Sequence, residues 1–298
     1  MQDWLQFDRS WVRNNSPVDF ENGFIEVYRD ARGAKAASES FVSITGAKLS
    51  NAMLKIAANA EYFEDRAPWL AEYRKQGVTP PIAMAVESVV EAGILRVGVG
   101  GKNLPNEDEI REQIGTKNFF LMSNVRALEG VRGASALEDA SSPAEIARYR
   151  KYGGTAGELY VSLHEVIGHA SGKVSRRLAQ SPEAYLKEYY SALEEARASL
   201  VAYWNIFDPK LKELGLVDSD EVGRAMYDNA AHAMLAVLSR IPRGDTIEED
   251  HARGSLLAAR YIMDRTGAIA LERHGNKTYA VVKDYEKMHT GVGMLLAN

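Results

Sequence analysis

The sequence predicts an α+β fold, mainly α with a smaller β-containing part. Three observations lead there. Extended patterns are confined to the N-terminal third, at Gly23 to Tyr28, Ser40 to Ile44 and within 82–101. Two helix-start signals, Ser142-Pro143 and Ser181-Pro182, open much of the remainder, each with a capping-type Ser before a Pro at the first helical position. After Gly133 the apolar residues recur mainly at helical spacing.

Taken in order, residues 1–16 are mixed and polar and read as an irregular lead-in. Gly23-Phe24-Ile25-Glu26-Val27-Tyr28 alternates partly and reads as a strand, followed by a turn at Ala31-Arg32-Gly33 and a second, antiparallel strand over Ser40 to Ile44. Leu49, Met53, Ile56, Ala57 and Ala60 lie at helical spacing and predict one or two amphipathic helices over 47–76, broken by Thr79-Pro80-Pro81. Residues 82–101 read as extended structure running into a glycine-rich loop, with Asn103-Leu104-Pro105-Asn106 continuing it and a short helix opening over Glu107 to Gln113. A long helix is expected from the Ser181 start through about Phe207. Others follow over 219–240, stopped near Pro242, and over 248–273 with Gly275 as C-cap. No linker separates the two halves cleanly.

Composition bounds the function. The chain has 298 residues, 46% hydrophobic and 26% charged, enough for a sizeable core in one large or two smaller domains. The apolar runs are too short to span a bilayer, and Met1-Gln2-Asp3-Trp4 lacks a signal-peptide pattern, so the expected location is cytoplasmic. A net charge of -5 argues against a broad nucleic-acid surface. With no cysteine, any metal must be held by His, Asp or Glu.

The segment that carries chemistry is His164-Glu165-Val166-Ile167-Gly168-His169. It resembles the zinc-peptidase pattern His-Glu-x-x-His, but with one residue too many. Positions i and i+5 of a straight α-helix differ by about 500°, which leaves them about 140° apart. Two imidazoles so placed cannot grip one ion. A π-type turn absorbs one extra residue, and Gly168 eases the distortion. On this segment alone, a metal site and a chance pair of histidines both stand.

A second segment favours the metal. Tyr189, Leu193, Ala196, Leu200, Tyr203 and Phe207 form an expected buried stripe, and beside it run Ser191, Glu195, Ala198 and Ala202. Small residues around one carboxylate let a neighbouring helix approach and bring Glu195 to an ion. Two imidazoles, a carboxylate and an open position make a catalytic zinc site. Taken without the His segment, Glu194 and Glu195 read better as a solvated edge with Arg197.

Together these residues resemble the dipeptidyl peptidase III family of zinc metallopeptidases. Its signature His-Glu-x-x-Gly-His-x-Ser/Thr-Gly-Lys is matched by His164 to Lys173, and its Glu-Glu-x-Arg-Ala-acid by Glu194 to Ser199. Gly23 to Asp30 is similar to the family's Gly-Phe-Ile-Glu-x-Tyr-x-Asp strand, and Asn103 to Asn106 to its Asn-x-Pro-Asn loop. The resemblance implies one zinc per chain on His164, His169 and Glu195. It also implies that Glu165 acts as general base toward the zinc-bound water. Glu26, Asn103 and Asn106 would hold the free α-amino group of a peptide, and Tyr28 and His251 would stabilise the transition state. The implied activity is release of dipeptides from the N-termini of short peptides, with no nucleic-acid or membrane partner.

The implied architecture is two lobes about a cleft. Residues 1–45 and 82–130 would form a partial strand-containing lobe, and 46–81 and 131–298 a helical catalytic lobe. Two departures qualify this. Ser199 stands where the family signature has an acid that supports a zinc-binding histidine. Family members are also far longer, which marks this chain as a fragment or a naturally short relative. A catalytically silent peptide-binding or structural relative is the alternative that both departures favour. A zinc hydrolase of non-peptide substrates is a third reading, opposed by Glu26, Asn103 and Asn106. Elsewhere, His232 reads as a structural histidine on an apolar helix, His274 as a helix-end residue, Trp4, Trp11, Trp69 and Trp204 as core or cleft wall, and the scattered Lys and Arg residues as a solvated surface.

Overall fold

A five-stranded sheet and a set of packed helices make up the computed structural model, which describes residues 2–23, 38–78, 82–93, 100–105, 107–125, 127, 141–178, 182–240, 247 and 250–298. The fold is α+β. The sheet comprises β1 (Val18–Gly23), β2 (Glu39–Thr45), β3 (Ile82–Ala92), β4 (Gly101–Leu104) and β5 (Lys117–Leu121), in the order β1-β2-β3-β5-β4. All neighbours are antiparallel except β3 and β5. The strand expected over 23–28 is seen only at Gly23, the last residue of β1; Phe24 to Gly33 lie outside the described residues, as do Thr79 to Pro81.

The sheet is curled, and its interior is charged. On β1 the alternation puts Asp19, Glu21 and Gly23 inside and leaves Val18 and Phe20 exposed. Asp19 accepts from Lys117 Nζ on β5 at 2.8 Å, and Glu21 pairs with Lys102 on β4. Side chains of one edge strand thus meet those of the other. Lys117 is fully buried and Lys102 nearly so, which corrects the expectation that the basic residues form only a solvated surface. Their ammonium groups rest on aromatic faces, Lys102 at 3.5 Å from the Phe41 ring centroid and Lys117 at 4.5 Å from that of Trp11.

Residues 2–13, expected to be irregular, are helix α1 (Gln2–Arg13). Leu5, Trp11 and Val12 turn inward at helical spacing, and Trp11 Nε1 donates to Asp19 at 2.7 Å. Helices α2 (Ala47–Ala57) and α3 (Ala60–Asp65) bury Met53, Ile56, Ala57, Ala60 and Phe63. The short helix α4 spans Asp108–Gln113.

The main apolar core lies among the C-terminal helices α5 (Pro143–Leu163), α7 (Tyr190–Asn205), α8 (Pro209–Glu213), α9 (Asp220–Arg240), α10 (Asp250–Thr266) and α11 (Tyr285–Leu296), together with α2 and α3; the short α6 (Pro182–Leu186) buries no residue. Two sequence expectations need correction here. The long helix to Phe207 is interrupted at a 3₁₀ turn over Lys187–Tyr189, where Lys187 takes φ 50°, so α7 begins at Tyr190. Tyr189 and Leu193 are exposed, and the buried stripe starts at Ala196.

The helix expected over 248–273 stops at Thr266, because Gly267 takes φ 64° and ends it. A hairpin follows, β6 (Ile269–His274) with β7 (Lys277–Val282). Gly275, read as a helix C-cap, takes φ 65° in the two-residue hairpin turn, and His274 ends a strand rather than a helix. His232 is buried on α9, 3.3 Å from Ser141 Oγ and 3.7 Å from Glu145 Oε2, in keeping with a structural role.

Candidate metal centre

The site begins with the launch of α5. Ser142 caps it, accepting from Glu145 N, while Glu145 Oε2 accepts from Ser142 N at 2.7 Å. The helix runs without a break into a π turn over His164–Gly168, where His169 N donates to His164 O at 3.1 Å, an i→i+5 bond. The extra residue of the motif is absorbed there. The two imidazoles stand 4.8 Å apart between centroids and nearly perpendicular, at 86°.

Helix α7 comes close enough to add a carboxylate because the contact surface is nearly bare. A Cβ on Gly168 would fall 2.9 Å from Ala198 Cα, and Ala198 and Ala202 are fully buried. Glu195, on the same face, is 2% exposed. Its Oε2 lies 3.1 Å from His164 Nε2 and its Oε1 3.7 Å from His169 Nε2. Helix α10 closes in at Gly254, where a Cβ would meet Ala196 at 3.1 Å, and this carries His251 Nε2 to 3.0 Å from Glu195 Oε2.

These donors fit a metal. Glu195 Oε2 is buried and makes no hydrogen bond of acceptable geometry, although two imidazole nitrogens lie within 3.1 Å. Such a contact without a hydrogen bond is the arrangement of ligands aimed at a common point. Two ligands at about 2.0–2.1 Å from a tetrahedral zinc stand about 3.3 Å from each other. Two groups bring their donor atoms within 4.8 Å of one another, His164 with Glu165 and His169, and His164 with Glu195 and His251, whose side chain is 46% exposed; two imidazoles with a carboxylate are a zinc donor set.

Glu165 shares the first of these groups, with Oε1 4.0 Å from His164 Nε2. Strand β4 covers it: a Cβ on Gly101 would lie 2.5 Å from Glu165 Oε1, so any side chain there would displace this carboxylate. Burial pushes the Glu165 carboxyl up from its usual range, against the opposing pull of His164 and His169. Glu195 behaves oppositely: burial would raise it, yet the His164 and His251 imidazoles beside it hold it well below the usual range.

Each imidazole has a partner behind it. His169 Nδ1 is 3.0 Å from Glu194 Oε1, and Arg197 grips the same carboxylate through Nε at 3.0 Å and Nη2 at 2.6 Å. Burial opposes ionisation of Glu194, but Arg197 and His169 hold its carboxyl well below normal. Arg197 Nη1 also donates to Ser171 O at 2.7 Å. The loop after the motif is pinned by Glu64, which accepts from Gly172 N at 2.9 Å and Lys75 N at 2.8 Å. His164 Nδ1 faces Ser199 Oγ at 3.4 Å, and Ser199 Oγ lies 2.9 Å from Tyr160 OH.

The other expected site residues are only partly in view. Asn103, on β4, donates through Nδ2 to Asn118, and its Oδ1 is buried without a hydrogen-bond partner. Glu26, Tyr28 and Asn106 lie outside the described residues. Glu194, Tyr160, Gly101 and Glu64 were missed as site residues. The i,i+3 spacing of Glu194 and Arg197 and the i,i+4 spacing of Tyr160 and His164 are sequence signals for the first two; Gly101 and Glu64 reach the site only through tertiary structure.

The chain belongs to peptidase family M49, whose sequence model matches residues 1–185, a stretch that includes His164, Glu165 and His169. Among curated proteins it is similar to dipeptidyl peptidase 3 of Nematostella vectensis, 34% identical over 168 residues, covering 56% of this chain and 22% of that protein. Mouse dipeptidyl peptidase 3 is 26% identical over 291 residues, covering 86% of this chain and 38% of that one. The solved dipeptidyl-peptidase III from Corallococcus sp. strain EGB superposes with a TM-score of 0.79 at 22% identity, covering 99% of this chain and 53% of its own, and shows the same fold. The chain thus spans well under half the length of these curated relatives and about half of the solved one. Among the described residues no helix is long and apolar enough to cross a membrane.

Proposed function

We propose that the chain carries a zinc-dependent exopeptidase centre that releases dipeptides from the N-termini of short peptides. The observation that supports this most is the convergence of His164 Nε2 and His169 Nε2 on the Glu195 carboxylate, with the buried Glu165 alongside. His164, His169 and Glu195 would hold the ion. Bound there, zinc supplies a Lewis acid and brings the pKa of a coordinated water to about 7.

The remaining work falls to side chains of this chain. Glu165 takes the proton of the attacking water at Oε1 or Oε2 and returns it to the leaving amine. Its carboxyl, raised by burial, is a stronger base than a solvent-exposed carboxylate. His251, at the rim, would donate to a developing oxyanion, and Tyr28 would share that role. Glu194 and Ser199 fix the ring orientations of His169 and His164.

Counting two residues requires an amine site at a fixed distance. Gly101 and Asn103 lie on one face of β4, two residues apart, hence about 7 Å along the strand. Gly101 touches Glu165, and Asn103 Oδ1 is an acceptor without a partner. An extended dipeptide is also about 7 Å long. Glu26 and Asn106 are proposed to complete the ammonium site with Asn103.

The test is a release assay on short peptides with free and with blocked N-termini, with and without chelator. Dipeptide release from free peptides only, abolished by chelator and by Glu165→Gln with zinc retained, supports the reading. Equal cleavage of free and blocked peptides contradicts the exopeptidase assignment, and turnover undiminished in Glu165→Gln moves the base elsewhere. The general-base contribution at stake is about 10²–10⁴ in rate.

A further inference from the structure

The two imidazoles that converge on Glu195 are held from behind by unlike partners. His169 Nδ1 has a carboxylate, Glu194, itself fixed by Arg197. His164 Nδ1 has a hydroxyl, Ser199 Oγ, at 3.4 Å, and that hydroxyl is 2.9 Å from Tyr160 OH. We infer that Tyr160 is a positioning residue of the metal centre, acting through Ser199 to keep the proton of His164 on Nδ1 and the Nε2 lone pair directed at the ion. The inference rests on the zinc reading above.

The proton order makes the case. A histidine that binds a metal through Nε2 carries its proton on Nδ1 and needs an acceptor there. Glu194 is acceptor-only when ionised, so His169 has no choice of tautomer. A serine hydroxyl can present either its proton or a lone pair. Were Ser199 to aim its proton at Nδ1, His164 would hold its own proton on Nε2 and could not ligate. Either hydroxyl of the Ser199–Tyr160 pair can donate; in the proposed arrangement Tyr160 accepts the Ser199 proton, which leaves the Oγ lone pairs facing Nδ1.

Tyr160 is itself held firmly. It lies on α5 one turn before His164, with ring centroids 5.7 Å apart, and stacks on Tyr203 at 5.4 Å and 26°. Burial pushes both phenols up from their ordinary value, so the arm stays neutral across the working pH range. The site therefore has one charged arm and one neutral arm.

The experiment measures the zinc dissociation constant of the 298-residue chain by competition with a chromogenic chelator. Wild type, Tyr160→Phe, Ser199→Ala, the double variant, and Ser199→Asp with and without Tyr160→Phe are compared, with apo-protein thermal unfolding as a folding control. Ser199→Ala is expected to weaken zinc about 10–100-fold, the usual cost of losing such a partner, and Tyr160→Phe to weaken it about tenfold while keeping the ring packing. The double variant should be no weaker than Ser199→Ala alone. In Ser199→Asp, where a pure acceptor replaces the hydroxyl, zinc should bind tighter than in wild type, and Tyr160→Phe should change nothing further.

A Tyr160→Phe variant with wild-type zinc affinity, or effects of the two changes that multiply in the double variant, overturns the inference. If Tyr160→Phe does not fold, Ser199→Asp decides, and zinc affinity at or below that of wild type overturns it. Failure of the zinc reading looks different, since the wild type itself would then hold no zinc.

Discussion

Gly168 and Ala198 touch backbone to backbone: a Cβ placed on Gly168 would lie 2.9 Å from both the Cα and the carbonyl oxygen of Ala198. The contact joins the π turn to α7 next to Glu195, so the depth of the Glu195 carboxylate depends on a missing methyl group. Gly168→Ala cannot be relieved by a rotamer change, because the obstructing atoms are backbone. We expect a loss of about 1–3 kcal/mol of stability, the usual cost of overpacking. A weaker zinc affinity should accompany it as α7 is displaced. Urea unfolding and chelator competition on this variant measure the two, and wild-type zinc affinity would mean that Glu195 is not held by this contact.

Lys102 and Glu21 form a buried pair inside the curled sheet, and burial pushes the Lys102 ammonium down and the Glu21 carboxyl up. Glu21 Oε1 has no hydrogen-bond partner, so the pair is not fully satisfied. Lys102→Met strands the carboxylate and should cost about 3–5 kcal/mol, whereas adding Glu21→Leu should recover most of that loss. Chemical denaturation of the two variants distinguishes this from a packing defect, in which the second change would add to the first.

Acid should act on the α5 cap. Burial opposes ionisation of Glu145, but the His232 imidazole 3.7 Å away and the hydrogen bond from Ser142 N leave its carboxyl below the usual range in the folded protein. A depressed folded value contributes stability that is present above the unfolded value, about 4.3, and is lost as pH falls from there through the folded value. The melting temperature of the wild type should therefore fall more steeply between about pH 5 and pH 3 than that of Glu145→Gln, which keeps a capping-box side chain. Parallel curves would remove Glu145 from the acid transition.

Much of the centre was legible in the sequence because its geometry is local. The i,i+5 spacing of His164 and His169 is incompatible with a straight α-helix, and Gly168 marks where the winding changes. The small residues Ala198 and Ala202 mark the face of α7 that another element approaches. What escaped depends on distant chain segments. Asp19 and Glu21 alternate with Val18 and Phe20, and the alternation says that two faces differ, not which is inside; the curl of the sheet buries the charges, with Lys102 and Lys117 as partners. The hairpin after α10 escaped because Gly267, not Gly275, ends the helix, and a run of mixed residues from Ile269 fits either period. Ser199 was visible as a departure from the family signature, but its link to Tyr160 crosses between α5 and α7.

The central claim is that His164, His169 and Glu195 share one zinc ion, and metal analysis of the purified chain tests it most directly. After dialysis against metal-free buffer, elemental analysis should find one zinc per wild-type chain and almost none in His169→Ala, with both proteins folded by circular dichroism. Full stoichiometric zinc in His169→Ala, or none in the wild type after zinc has been supplied, would contradict the account.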